Sequence, residues 1–240
     1  MMFSVQHCVC HFCSECVCPV CTKWTKIPSW SYIQRPESFS NASHLMLKWF
    51  NSDLILRNLE EAKRVYKPLL RGDVINVIQD YLRVIREERG GSVTFVNIHV
   101  RRTDYISFVE KRYKGHEVGR TFFLHCIREF LSLHPDSVFL VTSDDLAWCR
   151  QNIRHERVIF PRLQSSADPA VTDFLLMTQA NHTIYDYGSF AFWGAALAGG
   201  RTMVADGYSP RLHPILAAIK KSPPTGWTLV DVTKLEEDVN

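Results

Sequence analysis

Apolar residues recur along this chain with two different spacings, and the two alternate. Val93 to Val100, Ser137 to Thr142, Val158 to Phe160, His182 to Tyr185, Thr202 to Ala205 and Trp227 to Val230 are short runs rich in apolar and β-branched residues, which predict buried strands. Between them the spacing changes to that of helices. Phe122, Phe123, Cys126, Ile127, Phe130 and Leu131 form one such stripe, Leu146 to Asn152 a short one, and Val171, Phe174, Leu175 and Thr178 a third within Ala170 to Gln179. Phe190 to Leu197 and His213 to Lys221 complete the set. Upstream, Val74, Ile75, Val77, Ile78, Tyr81, Leu82 and Ile85 mark a helix with Asp73 as its expected N-cap and Gly90-Gly91 as its stop. Leu45 to Leu70 reads as one or two helices broken at Pro68, Lys23 to Ser43 as irregular, and Ile106 to Gly119 as a long polar loop.

Strand and helix in alternation, joined by short links, predict an α/β fold with a parallel sheet and helices on both faces. Ligands of such sheets bind in the crevice at the carboxyl ends of the strands. Arg101, Asp104, Ser143, Asp144 and Ser189 all fall at those ends. The expected organisation is a cysteine-rich head over 1–22, a mostly helical segment over 23–92, and a nucleotide-binding domain over 93–240.

Composition narrows the reading. With 46% hydrophobic residues the chain can bury a sizeable core, and a formal charge of +3 gives no case for nucleic acid. Cysteine is concentrated at the front, where Cys8, Cys10, Cys13, Cys16, Cys18 and Cys21 precede only Cys126 and Cys149. Their C-x-x-C spacings offer a thiolate zinc site; a disordered head, acylated cysteines or residues foreign to the folded protein are the alternatives. No stretch has the length of a membrane span or the layout of a signal peptide, so no anchor is expected within the chain. Asn41 and Asn181 each open a glycosylation triplet, the second at a strand start where exposure is poor.

The stretch with most chemical content is Val93 to Tyr105, a strand that runs into Arg101, Arg102 and Asp104. Paired arginines at a strand end suit a diphosphate, because the guanidinium is a fixed fork of donors that stays charged. Alternation puts Asn97, His99 and Arg101 on one face and Ile98, Val100 and Arg102 on the other. Arg101 is therefore the expected anion ligand, and Arg102 a brace for a carboxylate such as Asp104. Gly188-Ser189, between a strand and a helix, offers free N–H groups and a positive dipole end, or merely an N-cap. Asp173 stands in an apolar helix, where a carboxylate needs a partner such as the N–H edge of guanine; a plain salt bridge or a surface position is the alternative. Ser143-Asp144-Asp145 reads foremost as the cap and first-turn acids of the next helix. His182 reads as a satisfied core histidine. No P-loop, dinucleotide-binding glycine motif, zinc-protease helix or nucleophile elbow is present.

Ile98 to Tyr105 (I-H-V-R-R-T-D-Y), Val141 to Asn152 (V-T-S-D-D-L-A-W-C-R-Q-N) and Asp173 to Ala195, in this order and spacing, resemble the galactoside α-1,2-fucosyltransferases, glycosyltransferase family 11 of the H-x-R-R-x-D fucosyltransferase superfamily. The resemblance runs from about Trp30 to Val230. It implies a GT-B-like enzyme with a Rossmann-like nucleotide domain and an incomplete N-terminal lobe, which moves L-fucose from GDP-β-L-fucose to the 2-hydroxyl of a terminal galactose, with inversion and without a metal. It further implies a Golgi membrane protein facing the lumen. By the same resemblance Arg101 meets the β-phosphate, Asp173 the guanine, Ser189 a phosphate, His99 the base or diphosphate, and Arg102 and Phe190 belong to the donor site. Asp104, Glu110, Glu117 and Asp206 are the candidates for a base acting on the acceptor hydroxyl. The alternative is an inactive relative that binds GDP-fucose or a glycan.

Overall fold

The fold is given by a computed structural model that describes residues 24–26, 44–46, 56–165 and 167–235. The cysteine-rich 1–22 and Asn41 lie outside the described residues. The chain divides into two units, 1–51 and 52–240. In the first, β1 (Trp24–Lys26) pairs in parallel with β2 (His44–Met46). Each is three residues long, too short for hydrophobic periodicity to register, and β1 falls within the stretch expected to be irregular.

The second unit is built on β3 (Thr94–Val100), β4 (Ser137–Ser143), β5 (Val158–Ile159), β6 (His182–Tyr185), β7 (Thr202–Asp206) and β8 (Trp227–Asp231). Every pairing is parallel and the spatial order is β5-β4-β3-β6-β7-β8. The chain thus starts in the middle, winds outward to β5, returns beside β3 as β6 and winds outward the other way. This is the doubly wound Rossmann-like order, and its direction reverses between β3 and β6. In sheets of this order the links leave on opposite sides at the reversal, and the crevice between the two strand ends is where ligands bind.

Helices α1 (Leu59–Tyr66), α2 (Gly72–Glu88), α3 (Thr103–Phe108), α4 (Arg120–Leu133), α5 (Leu146–Asn152), α6 (Pro169–Gln179), α7 (Ser189–Ala198) and α8 (Pro214–Lys221) fill the links. Among the described residues none is long and apolar enough to cross a membrane. Strand alternation sorts the core into two parts. Phe95, Val138 and Leu140 receive Val74, Ile78, Leu82 and Ile85 of α2 together with Leu175 and Leu176 of α6. Val96, Ile98, Val100, Phe139 and Val141 receive Phe122, Phe123, Cys126, Ile127 and Phe130 of α4 and Cys149 of α5. Burying such side chains contributes roughly 1.5–3 kcal/mol each, far more than helix propensity does.

That packing moves a boundary. The helical segment expected to belong to a separate lobe over 23–92 is divided at Ser52, and α2 is part of the sheet's own core. Its apolar stripe was readable, but a stripe does not say which surface it covers. The polar stretch after β3 is also not a loop throughout. Thr103–Phe108 is helical and Val109–Tyr113 forms a turn of π-helix, because Val109 and Val118 are buried under this segment despite the charges around them. Asp73 sits in the first turn of α2, whose N-cap is Arg71, and pairs with Arg71 at 2.5 Å.

Gly200, between α7 and β7, has a φ of +72°, and a Cβ there would lie 2.0 Å from the carbonyl oxygen of Asn181. Asn181 cannot withdraw easily, because its N–H donates to the Phe95 carbonyl at 2.8 Å and its Oδ1 accepts the Phe95 N–H at 2.9 Å. Gly200→Ala is therefore expected to cost roughly 2–4 kcal/mol in urea denaturation; a loss under about 0.5 kcal/mol would show that this close approach is not rigid.

Candidate functional site

β3 continues past its last paired residue into Arg101 and Arg102, whose N–H groups find no further strand partner. Two carboxylates receive them. Arg101 N–H donates to Asp186 Oδ2 at 2.8 Å, and Arg102 N–H to Asp144 Oδ1 at 2.8 Å. Asp144 follows β4 and Asp186 follows β6, so each flanking strand contributes one acid to hold the end of the central strand. Asp186 is 1% exposed, and its other oxygen accepts the N–H of Tyr187 at 2.7 Å. Burial pushes its carboxyl well above the usual range, against the pull of these backbone N–H groups.

The side chains then diverge as alternation requires. Arg101 turns its fork to Asp104 at 2.5 Å, to Thr103 Oγ1 at 3.2 Å and to Asp144. Arg102 is buried on the opposite side, 3.9 Å above the ring of Trp148 from α5, with Glu117 at 2.7 Å and Asp145 at 3.6 Å. It braces Glu117 and Asp145, not Asp104. Asp104 instead pairs with Arg101, since both lie on the solvent side of the first turn of α3. With its side chain 76% exposed, Asp104 contributes little through this pair, about 0–1 kcal/mol, and can be exchanged for another anion.

Across the switch point, α7 begins after the short link Asp186-Tyr187-Gly188 that follows β6. Gly188 makes this possible, with φ 97° and ψ 154°, a conformation that L side chains rarely adopt. The helix has no side-chain cap, and Ser189, its first residue, is exposed. First-turn N–H groups have no partner within a helix, which gives this end its affinity for anions. Phe190 follows, its ring 5.1 Å from His99 and 5.4 Å from Phe174. His99, on the Arg101 side of β3, is buried and held neutral, its pKa lowered to about 4 chiefly by desolvation.

Asp173, beside Phe174 on α6, is half-buried and has no hydrogen bond or ion pair with any described residue. Burial alone raises its pKa to about 6. The ring contacts among His99, Phe190 and Phe174 therefore link the three elements that carry Arg101, Ser189 and Asp173, although these three residues do not bond to one another. Two surface depressions, lined by Arg150, Arg154, His155 and Phe160 and by Gln79, Arg83, Arg86 and Gln179, include none of them.

On the far side of Arg101 stands an aromatic wall. Tyr105 stacks on Tyr187 at 4.8 Å, Tyr187 meets Tyr208 at 5.2 Å, and the Arg101 guanidinium lies 5.8 Å from the Tyr105 ring. Of the candidate bases, Glu117 is engaged by Arg102 at 2.7 Å, Asp206 by Lys220 at 2.8 Å and Asp104 by Arg101, while Glu110 is exposed in the π turn. Asp145, not Asp144, caps α5, accepting Trp148 N–H at 3.0 Å. His182 is satisfied: its Nδ1 accepts Arg201 N–H at 3.0 Å. Asn181 Oδ1 is tied to Phe95 N–H at 2.9 Å. Among the described residues no group of three or more His, Cys, Asp or Glu is placed to hold a metal ion, and Cys8 to Cys21 lie outside them.

Sequence reasoning passed over Asp186. The signal was present, since an acid directly after the apolar Ile184-Tyr185 raises the same question of a partner as Asp173 does. Asp186→Asn keeps the shape but turns an NH2 group toward one of the two donors. It is expected to cost roughly 1–3 kcal/mol of stability in chemical denaturation, and a variant as stable as the parent would remove Asp186 from this role.

Comparison with known proteins agrees with the geometry. Glycosyl transferase family 11 matches residues 47–213. The galactoside 2-alpha-L-fucosyltransferase SEC1 of Bos taurus is 38% identical over 136 residues, covering 56% of this chain and 37% of that protein. Galactoside alpha-(1,2)-fucosyltransferase 2 of Sus scrofa is 36% identical over 153 residues, covering 63% and 45%, and that of Rattus norvegicus 38% over 144 residues, covering 59% and 40%. The chain thus spans less than half the length of these relatives. The family match takes in the end of β3, Asp173 and the start of α7 together and extends over more than half of the sequence, so the chain belongs to glycosyl transferase family 11.

Proposed function

We propose that the protein transfers L-fucose from GDP-β-L-fucose to the 2-hydroxyl of a terminal galactose on a glycan, with inversion at the anomeric carbon. The observation that carries this reading is Arg101 at the switch point of a Rossmann-like sheet, opposite the uncapped start of α7. The names of the matched relatives support fucose as the group moved and galactose as the acceptor. The lumenal side of the Golgi membrane is the compartment that the reading implies.

In such a transfer the bond between the anomeric carbon and the diphosphate breaks, the acceptor oxygen bonds to that carbon and its proton leaves. Negative charge grows on the departing diphosphate. Arg101 and the N–H groups at Ser189 and Phe190 stabilise that charge more in the transition state than before it, and so lower the barrier without a metal ion. The diphosphate takes the guanidinium from Asp104, which frees this carboxylate to receive the acceptor proton. Asp173, unpartnered among the described residues, accepts from the N–H edge of guanine, while Phe190 packs between His99 and Phe174 beside the nucleoside.

Incubation with GDP-fucose and a β-galactoside tests the reading. Transfer is expected, with Arg101→Ala slower by about 10²–10³. GDP binding without transfer would leave a donor-binding relative, and equal rates would remove Arg101 from the mechanism. The pH dependence of GDP binding gives a second test. Acceptance from two N–H groups needs ionised Asp173, so affinity is full above its raised pKa of about 6 and lost as pH falls through it. About a tenfold weakening per unit is expected below that value, with no such step in Asp173→Asn; a step that persists in the variant assigns the titration elsewhere.

A further inference from the structure

Asn97 at 0%, His99 at 6% and Thr142 at 1% exposure lie buried side by side on the Arg101 side of β3 and β4. Their hydrogen bonds can be given a direction, starting from an atom with only one role. The carbonyl oxygen of Leu140 can only accept, so the contact at 3.1 Å fixes the Asn97 amide with Nδ2 as donor and Oδ1 facing away from it. Asn97 Oδ1 can likewise only accept, and the hydroxyl of Thr142 at 3.3 Å therefore donates its one proton there. Thr142 Oγ1 is left with lone pairs toward His99 Nδ1, also at 3.3 Å. The proton in this contact must come from the histidine, which makes His99 the Nδ1–H tautomer. Burial keeps the ring neutral, although Asp144 favours the charged form and Arg101 disfavours it. Phe190 packs against the ring. No described residue takes Nε2, which is not among the sealed polar atoms of the core.

We propose that Asn97 and Thr142 are positioning residues that hold His99 as the neutral Nδ1–H tautomer, so that its Nε2 accepts a hydrogen bond from an N–H or O–H of the nucleoside and gives none to the diphosphate. The proposal rests on the nucleotide reading of this site and decides between the two contacts the sequence left open for His99. A neutral imidazole whose only proton is committed to Thr142 has nothing to offer a phosphate oxygen. It does have a lone pair for a base N–H or a ribose hydroxyl, and the division of labour follows: Arg101 and α7 hold the anion, His99 and Asp173 the nucleoside.

The direct test is the 15N spectrum of the protein with labelled histidine, in which long-range 1H–15N correlations distinguish the two neutral tautomers. His99, identified by the signal missing from His99→Gln, is expected to show a protonated Nδ1 and a bare Nε2 near neutral pH. A protonated Nε2 overturns the proposal without any ligand or variant fold entering the result. Thr142→Val removes the hydroxyl at similar volume, and is expected to weaken GDP about tenfold while leaving inorganic pyrophosphate, as a competitor with no nucleoside, unchanged. Thr142→Ser keeps the hydroxyl and is expected to restore GDP affinity. Equal weakening of GDP and pyrophosphate in Thr142→Val would assign the relay to general stability and sink it. Parent protein that shows the expected tautomer but does not bind GDP at all would instead sink the nucleotide reading, and with it the ligand half of the proposal. Loss of the Thr142→Val effect when 2′-deoxy-GDP replaces GDP then assigns the donated proton to the ribose 2′-hydroxyl, and its loss with IDP to the exocyclic amino group of the base.

Discussion

The end of β3 is the constraint on which the site depends. A central parallel strand must stop somewhere, and where it stops its N–H groups lose the carbonyls that paired them. Here Asp144 and Asp186 accept the N–H groups of Arg102 and Arg101, both at 2.8 Å. Leaving either donor unmade in this environment would cost more than such a bond ordinarily contributes, so the acids fix the backbone just where the direction of the sheet reverses. The side-chain directions follow from that fixed backbone. Alternation sends Arg102 under α5 and Arg101 to the opposite face, and no flexible loop intervenes between the ladder and the Arg101 guanidinium.

The electrostatics follow from the same arrangement. Asp144 does double duty, holding a backbone N–H with one oxygen and the Arg101 guanidinium with the other. Arg101 therefore waits among carboxylates, partly exposed, and pairs of this kind are weak enough to yield to a diphosphate. Nearby, burial leaves His99 without charge and Asp173 reluctant to carry one. Positive charge is thus concentrated at Arg101 and the start of α7, and the neutral, aromatic surround suits a nucleoside better than a second anion.

Much of this was legible in the sequence. Alternation along Val93 to Tyr105 separated the two arginines, and the strand–helix rhythm gave the parallel sheet and the end at which the candidate site lies. What the sequence concealed depended on contacts between distant segments. Asp144 reads as a helix cap because the Ser-Asp-Asp pattern is local, whereas its partner lies across the sheet on another strand. Asp186 drew no notice because its acceptors' partners are backbone groups, which leave no trace in a motif. The stripe of α2 was plain, but its address on the face of Phe95 and Leu140 was not. In 106–119, charged side chains masked the buried Val109 and Val118 that make the segment a packed element.

The most direct measurement is the position of the β-phosphate in a crystal structure of the protein with GDP. The account predicts a phosphate oxygen at hydrogen-bond distance from the Arg101 guanidinium and from the first-turn N–H groups of α7, with Asp104 displaced and Arg101 N–H still on Asp186. A diphosphate bound elsewhere, with Arg101 still paired to Asp104 and Asp144, would contradict it.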